Sequence, residues 1–173
     1  MQPFADRLCE ATRRKGTPVM AGIDPRWNLL PDEVRESALA AAGPSLDAVA
    51  QAYKTFCTTV IELVASRVPI VKFQAAFFEA AGPAGMVVLH EMIALARDAG
   101  LLVVLDGKRN DIGSTAAAYA SAYLGRFDLG STQLAAWSAD ALTVNAYLGA
   151  EGIEPFLDEA RTHGGGIFVL VRT

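Results

Sequence analysis

The sequence predicts an α/β fold built on parallel strands, and three observations carry that prediction. Five short runs, at 19–23, 69–73, 101–105, 140–144 and 166–171, are apolar at nearly every consecutive position, the pattern of strands buried on both faces. The stretches between them repeat apolar residues every three or four positions, the period of an amphipathic helix. The runs begin roughly 37 residues apart on average, a spacing that suits β/α units in either a doubly wound sheet or a barrel. No G-x-G-x-x-G follows the first run and no G-x-x-x-x-G-K-[ST] occurs, so the dinucleotide-binding and P-loop forms of the open sheet lose support.

In chain order, a lead-in helix is expected over roughly 3–15, followed by the strand Val19-Met20-Ala21-Gly22-Ile23, closed by the turn pair Asp24-Pro25. A long helix begins near Ser45, with Leu46, Val49, Tyr53, Cys57, Val60 and Val64 along one face. After the strand Pro69-Ile70-Val71-Lys72-Phe73, a helix over 86–99 is stopped by Gly100 at the C-capping position. Leu101-Leu102-Val103-Val104-Leu105 is the clearest strand, followed by a helix over 112–124. The strand Asp140-Ala141-Leu142-Thr143-Val144 and a helix over 151–163 come next. Gly164-Gly165-Gly166 precedes a strand, so it reads as a helix C-cap and turn and not as a phosphate loop.

A chain of 173 residues holds one domain. Hydrophobic residues make up 52% and charged residues 20%, enough apolar surface for a core. The net charge is −4 and no basic block stands out, which argues against nucleic-acid binding and against a polybasic membrane anchor. The first residues lack the pattern of a signal peptide, and no apolar run approaches the roughly 18–20 residues of a membrane span, so a cytoplasmic protein is expected. Cys9 and Cys57 are too few for a disulfide framework or a zinc knuckle, and both fall at helical apolar positions expected in the core. His90 and His163 sit in no motif and read as surface helix residues, while Trp27 and Trp137 read as packing residues near loops.

Polar residues close the strand runs: Asp24, Lys72, Asp106 with Lys108, Asn145, and Arg172 with Thr173. Ligands of α/β folds bind at the carboxyl ends of parallel strands, so these side chains are candidates for one site. Lys72 interrupts an apolar run, where an unpaired ammonium is costly; a carboxylate partner would relieve that cost, and the competing reading is a lysine that snorkels out of the strand end. Asp106, on the next run, is the natural partner. Asp106 and Lys108 point to the same face if the strand continues. An Asp-Gly hairpin at 106–107 would need a returning strand, yet residues 112–119 read as helix.

At these residues the sequence resembles the orotidine 5′-phosphate decarboxylase family. Val71-Lys72-Phe73-Gln74-Ala75-Ala76-Phe77-Phe78-Glu79 matches its second-strand motif, and residues 106–115 match its Asp-x-Lys-Arg-x-Asp-Ile-Gly-x-Thr signature. Gly22-Ile23-Asp24-Pro25 and Thr143-Val144-Asn145-Ala146-Tyr147-Leu148-Gly149 match the first and fourth strands, although Ala146 stands where proline is common. The resemblance implies a TIM (β/α)8 barrel, of which about five β/α units are present. The expectation is a single barrel domain over 1–173, truncated at its C-terminal end, without counterparts of the phosphate-gripping loops of the seventh and eighth units. A closed barrel needs about 200–250 residues or more.

The resemblance further implies decarboxylation of orotidine 5′-monophosphate to UMP, with no metal or organic cofactor, by a homodimer with shared sites. Lys108 would protonate C6, Asp106 would lie beside the substrate carboxylate, and Lys72 would hydrogen-bond the array and the ribose. Asp111 would reach across the dimer, accompanied by Ile112 and Thr115. Asp24 would contact the ribose, and Asn145 would join the substrate-binding group. The chemistry agrees with these residue types. Loss of CO₂ leaves a carbanion without a conventional electron sink, so fixed charges must carry the stabilisation. A lysine between carboxylates keeps its charged form, and an alternating Lys–Asp–Lys–Asp array is nearly neutral overall, which tempers its desolvation. Two alternatives remain: a metal-dependent sugar-phosphate decarboxylase or aldolase of the same superfamily, and an inactive barrel fragment acting only as an assembly partner.

Overall fold

The computed structural model describes residues 2–172. Helix α1 (Phe4–Lys15) leads into strand β1 (Met20–Ile23), a 3-10 turn (Trp27–Leu29) and two helices, α2 (Asp32–Ala42) and α3 (Leu46–Val64). Strand β2 (Ile70–Gln74) runs directly into the short helix α4 (Ala75–Glu79), and then α5 (Gly82–Asp98). Strand β3 (Leu102–Arg109) is followed by α6 (Gly113–Leu124) and a small hairpin of β4 (Phe127–Asp128) and β5 (Gln133–Leu134). Strand β6 (Ala141–Asn145), a 3-10 turn (Ala150–Gly152), α7 (Glu154–His163) and β7 (Gly166–Leu170) complete the chain.

The main sheet is parallel throughout, in the order β1-β2-β3-β6-β7, which is chain order. A doubly wound sheet reverses its strand order at a switch point. Here there is no reversal, as in the wall of a barrel. The hairpin stands apart as its own antiparallel pair.

Alternate residues of each strand face opposite sides. Val71, Phe73, Val103, Leu105, Leu142 and Val144 are fully buried in the main core, with Cys57 and Ile61 of α3, Leu89 and Ile93 of α5, and Phe156 of α7. The other face of the sheet is layered. Ile70, Val104 and Ala141 form a second apolar cluster, closed off by Phe4, with Leu8 packed against it. Gly166 makes this plug possible, since a Cβ there would stand 2.4 Å from the Phe4 ring. Asp140 fastens the same end, accepting the Val103 amide at 2.9 Å and pairing with Arg7 of α1. Two residues further along each strand, the apolar layer gives way to Lys72, Asp106 and Thr143.

The helix ends follow local chemistry. Ser45 caps α3, its Oγ accepting the Ala48 amide at 3.2 Å. Gly100, at φ +79°, ends α5 as expected: its amide reaches Arg97 O and the Leu101 amide reaches Ala96 O, the paired bonds of a Schellman cap. Gly164, at φ +68°, caps α7 and makes the glycine triplet a helix stop.

The cysteines divide. Cys57 is a core thiol, pushed up to about 12 by burial, whereas Cys9 corrects the expectation: it lies on the exposed side of α1. Among the described residues, no helix is long and apolar enough to cross a membrane.

Candidate active site

The carboxyl ends of β2, β3 and β6 converge on Asp106, which is 7% exposed. Its Oδ2 accepts Lys72 Nζ at 2.9 Å and Gln74 Nε2 at 3.0 Å. Its Oδ1 accepts Lys108 Nζ at 2.7 Å and Thr143 Oγ1 at 2.8 Å. These four bonds fill the acceptor capacity of a carboxylate. Burial pushes the Asp106 carboxyl upward, but hydrogen bonds from Lys108, Lys72 and Thr143, with the Lys72 charge, outweigh it and bring the pKa down to about 2. Asp106 is therefore a fixed anion near neutral pH, with no lone pair free to take a proton.

The two lysines differ in access. The side chain of Lys72 is 22% exposed and lies between Asp106 and Asp24, whose Oδ1 is 3.9 Å from its ammonium. That of Lys108 is 44% exposed, so its ammonium is both paired and open to an incoming molecule. Gly22, which pairs in register with Lys72, leaves that side of the layer without a side chain.

Lys108 stands at φ +46°, a left-handed conformation rare for a side-chain-bearing residue. Such a residue costs of order 1 kcal/mol and persists where its surroundings over-determine it. The strand conformation does persist past Leu105, but irregularly: Leu105 pairs with Leu142, while Arg109 pairs with Val144. Four steps along β3 thus match two along β6, and Lys108 rides on the excess. Thr143 holds the excursion, its Oγ1 accepting the Lys108 amide at 2.9 Å while donating to Asp106.

Asp24, Lys72, Asp106 and Lys108 are thereby gathered in one place. Asn145 ends β6 on the face that carries Thr143, with its Oδ1 engaged by the Tyr147 amide at 2.9 Å. Asp111, Ile112 and Thr115 lie in the following loop and the first turn of α6. The Asp111 carboxylate accepts the Ile112 amide at 2.8 Å, and no ion pair joins it to the cluster among the described residues. Ile112 is 55% exposed, and Thr115 faces solvent. Gly152 supports this loop from below, since a Cβ there would stand 2.9 Å from Asp111 O.

Two members of the cluster, Gln74 and Thr143, received no role from the sequence. Their signal was slight. Both are polar residues at the inward-facing period of strands whose neighbours are apolar, two positions from Lys72 and Asn145 respectively.

Among the described residues, no group of three or more His, Cys, Asp or Glu gathers as it would around a metal ion. A cleft of about 370 Å³, lined by Arg7, Arg97, Arg126 and Asp140, lies at the opposite end of the strands and shares no residue with the cluster.

Comparison with known proteins fits this geometry. Residues 18–173 match the family model described as orotidine 5′-phosphate decarboxylase / HUMPS family. The orotidine 5′-phosphate decarboxylase of Rhodopirellula baltica is 50% identical over 173 residues, covering 100% of this chain and 55% of that protein. The enzyme of the same name from a Nocardioides strain is 42% identical over the same span, 56% of its length. Among solved structures, the Leishmania donovani OMP decarboxylase superposes with a TM-score of 0.72 at 30% identity, over 99% of this chain and 54% of that one. The chain spans just over half the length of the relatives it matches. With its family model matched over most of the sequence and its parallel sheet shared with those relatives, the chain belongs to the orotidine 5′-phosphate decarboxylase / HUMPS family.

Proposed function

We propose that the chain carries the reaction centre of an orotidine 5′-monophosphate decarboxylase, releasing CO₂ to form UMP in pyrimidine biosynthesis. The observation that carries this reading is the pair of ammoniums on one carboxylate, Lys72 and Lys108 on Asp106, at 2.9 and 2.7 Å. The bond from C6 to the substrate carboxyl breaks, its electron pair stays on C6, and Lys108 Nζ–H delivers the proton that replaces CO₂. The fixed Asp106 anion lies where the substrate carboxylate would come, so loss of charge there is favoured as CO₂ departs. Lys72 holds Asp106 and, with Asp24, faces the ribose. Asn145, Ile112 and Thr115 take further substrate contacts. Because its charges are set before the substrate arrives, such a site spends little on reorganisation during the reaction.

Asp111 has no place in the cluster of its own chain, which supports a homodimer in which it completes the array of a second copy. The same reading needs no metal. Asp106 gives both its oxygens to the two ammoniums, Gln74 and Thr143, so it has no free oxygen for a magnesium ion as the sugar-phosphate rival would require. The intact protein is expected to form UMP from orotidine 5′-monophosphate at an unchanged rate after treatment with EDTA. Strict dependence on added magnesium, or no UMP at all, overturns the proposal.

A further inference from the structure

Two motif residues, Glu79 and Arg109, take no part in the proposed chemistry, yet the structure joins them. Arg109 Nη2 donates to Glu79 Oε1 at 2.7 Å and to the Tyr123 hydroxyl at 2.8 Å, and Nε reaches the same hydroxyl at 3.2 Å. Its guanidinium also lies over the rings of Tyr119 and Tyr123, at 5.6 and 5.2 Å from their centroids. One side chain thus ties the end of β3 to α4 and to α6. Arg109 is also the residue at which β3 comes back into register with β6 after the excess that carries Lys108. Its Nη1 turns back toward Gly107 O at 3.4 Å, so the guanidinium bridges from one side of Lys108 to the other. Glu79 ends the short helix that follows β2, the strand bearing Lys72 and Gln74.

We propose that the Arg109–Glu79 pair is a positioning device, clamping the exits of β2 and β3 so that Lys108 is held at positive φ against Asp106. Among the described residues Arg109 makes no hydrogen bond or ion pair with Asp106 or Lys72, and it acts through the backbone on either side of Lys108. A guanidinium suits the task because its planar fork donates in several fixed directions at once, which a lysine cannot do. The inference rests on the proposed decarboxylase reading for its effect on rate, but its structural content stands apart from that reading.

The test uses Arg109→Met, which keeps an apolar stem, and Glu79→Gln, which removes the charge of the ion pair but keeps an acceptor oxygen. This sequence has four lysines, Lys15, Lys54, Lys72 and Lys108, and the side-chain signal of each in ¹³C-lysine-labelled protein is assigned by substituting it in turn. Arg109→Met is expected to shift the Lys108 signal while Lys15 and Lys54 stay in place, and to lower kcat at least tenfold with KM within threefold. Glu79→Gln is expected to do the same to a smaller extent, and Arg109→Lys to recover only part of the loss. A folded Arg109→Met protein with an unmoved Lys108 signal and unchanged kcat overturns the inference. If that variant does not fold, Glu79→Gln decides by the same two readouts. If the parent protein yields no UMP, the decarboxylase reading falls, and the Lys108 signal alone decides whether the pair positions it.

Discussion

Replacing Lys108 by alanine is expected to lower UMP formation by about 10³–10⁴-fold, the range for loss of a general acid that also stabilises developing charge. Nucleotide binding should remain measurable, because Lys72, Asp24 and Asn145 are untouched. The fold should survive as well. The Lys108 side chain is 44% exposed, and Asp106 keeps Lys72, Gln74 and Thr143 as donors. Turnover measured beside UMP titration separates the two effects. Near-normal turnover would remove Lys108 from the role of proton donor.

Asp106→Asn is expected to cost both rate and stability. The substitution keeps the shape but turns one acceptor oxygen into an NH₂ that must face existing donors. Lys72, still 3.9 Å from Asp24, and the more exposed Lys108 then lose the carboxylate they share. Breaking a buried ion pair by removing one partner costs about 3–5 kcal/mol, and the lost alternation of charge should lower kcat at least as far as the loss of Lys108.

The pH dependence follows from the direction of the shift. Asp106 is held down to about 2 from an ordinary 3.8. A carboxyl so lowered contributes stability that is fully present above its unfolded pKa and disappears as pH falls through the folded value. The contribution, of order 2 kcal/mol, is therefore lost between about pH 4 and pH 2. Urea unfolding should show the parent protein losing stability across that window more steeply than Asp106→Asn. Parallel curves would contradict the assignment of the low pKa.

Much of this was legible in the residues. The five strands announced themselves because strands buried on both faces must be apolar at consecutive positions. Lys72 and Asp106 stood out because charge in such a run needs a partner, and their contact is 2.9 Å. Helix α2 was missed because its sequence is rich in alanine and buries only Ala38, leaving little apolar period to read. Cys9 was misjudged because period alone does not say which side of α1 faces the sheet; Phe4 and Ala11 do, and Cys9 does not. The irregular pairing that lifts Lys108 could not be read locally at all. It depends on Thr143, thirty-five residues away, and on helices that clasp Arg109 from both sides. Asp111 lies in the loop after β3, outside the cluster, which its place in the motif beside Asp106 and Lys108 did not reveal.

The central claim is that Lys72 and Lys108 together face the nucleotide base and ribose. Titrating UMP into ¹³C-lysine-labelled intact protein tests it directly, because two lysines of this chain outside the cluster are built-in controls: Lys15 is bonded to Ala65 O and Lys54 is paired with Glu91. The account predicts that the Lys72 and Lys108 signals move together with one saturation curve while Lys15 and Lys54 remain fixed. Saturable binding of UMP with Lys72 and Lys108 unmoved would contradict it.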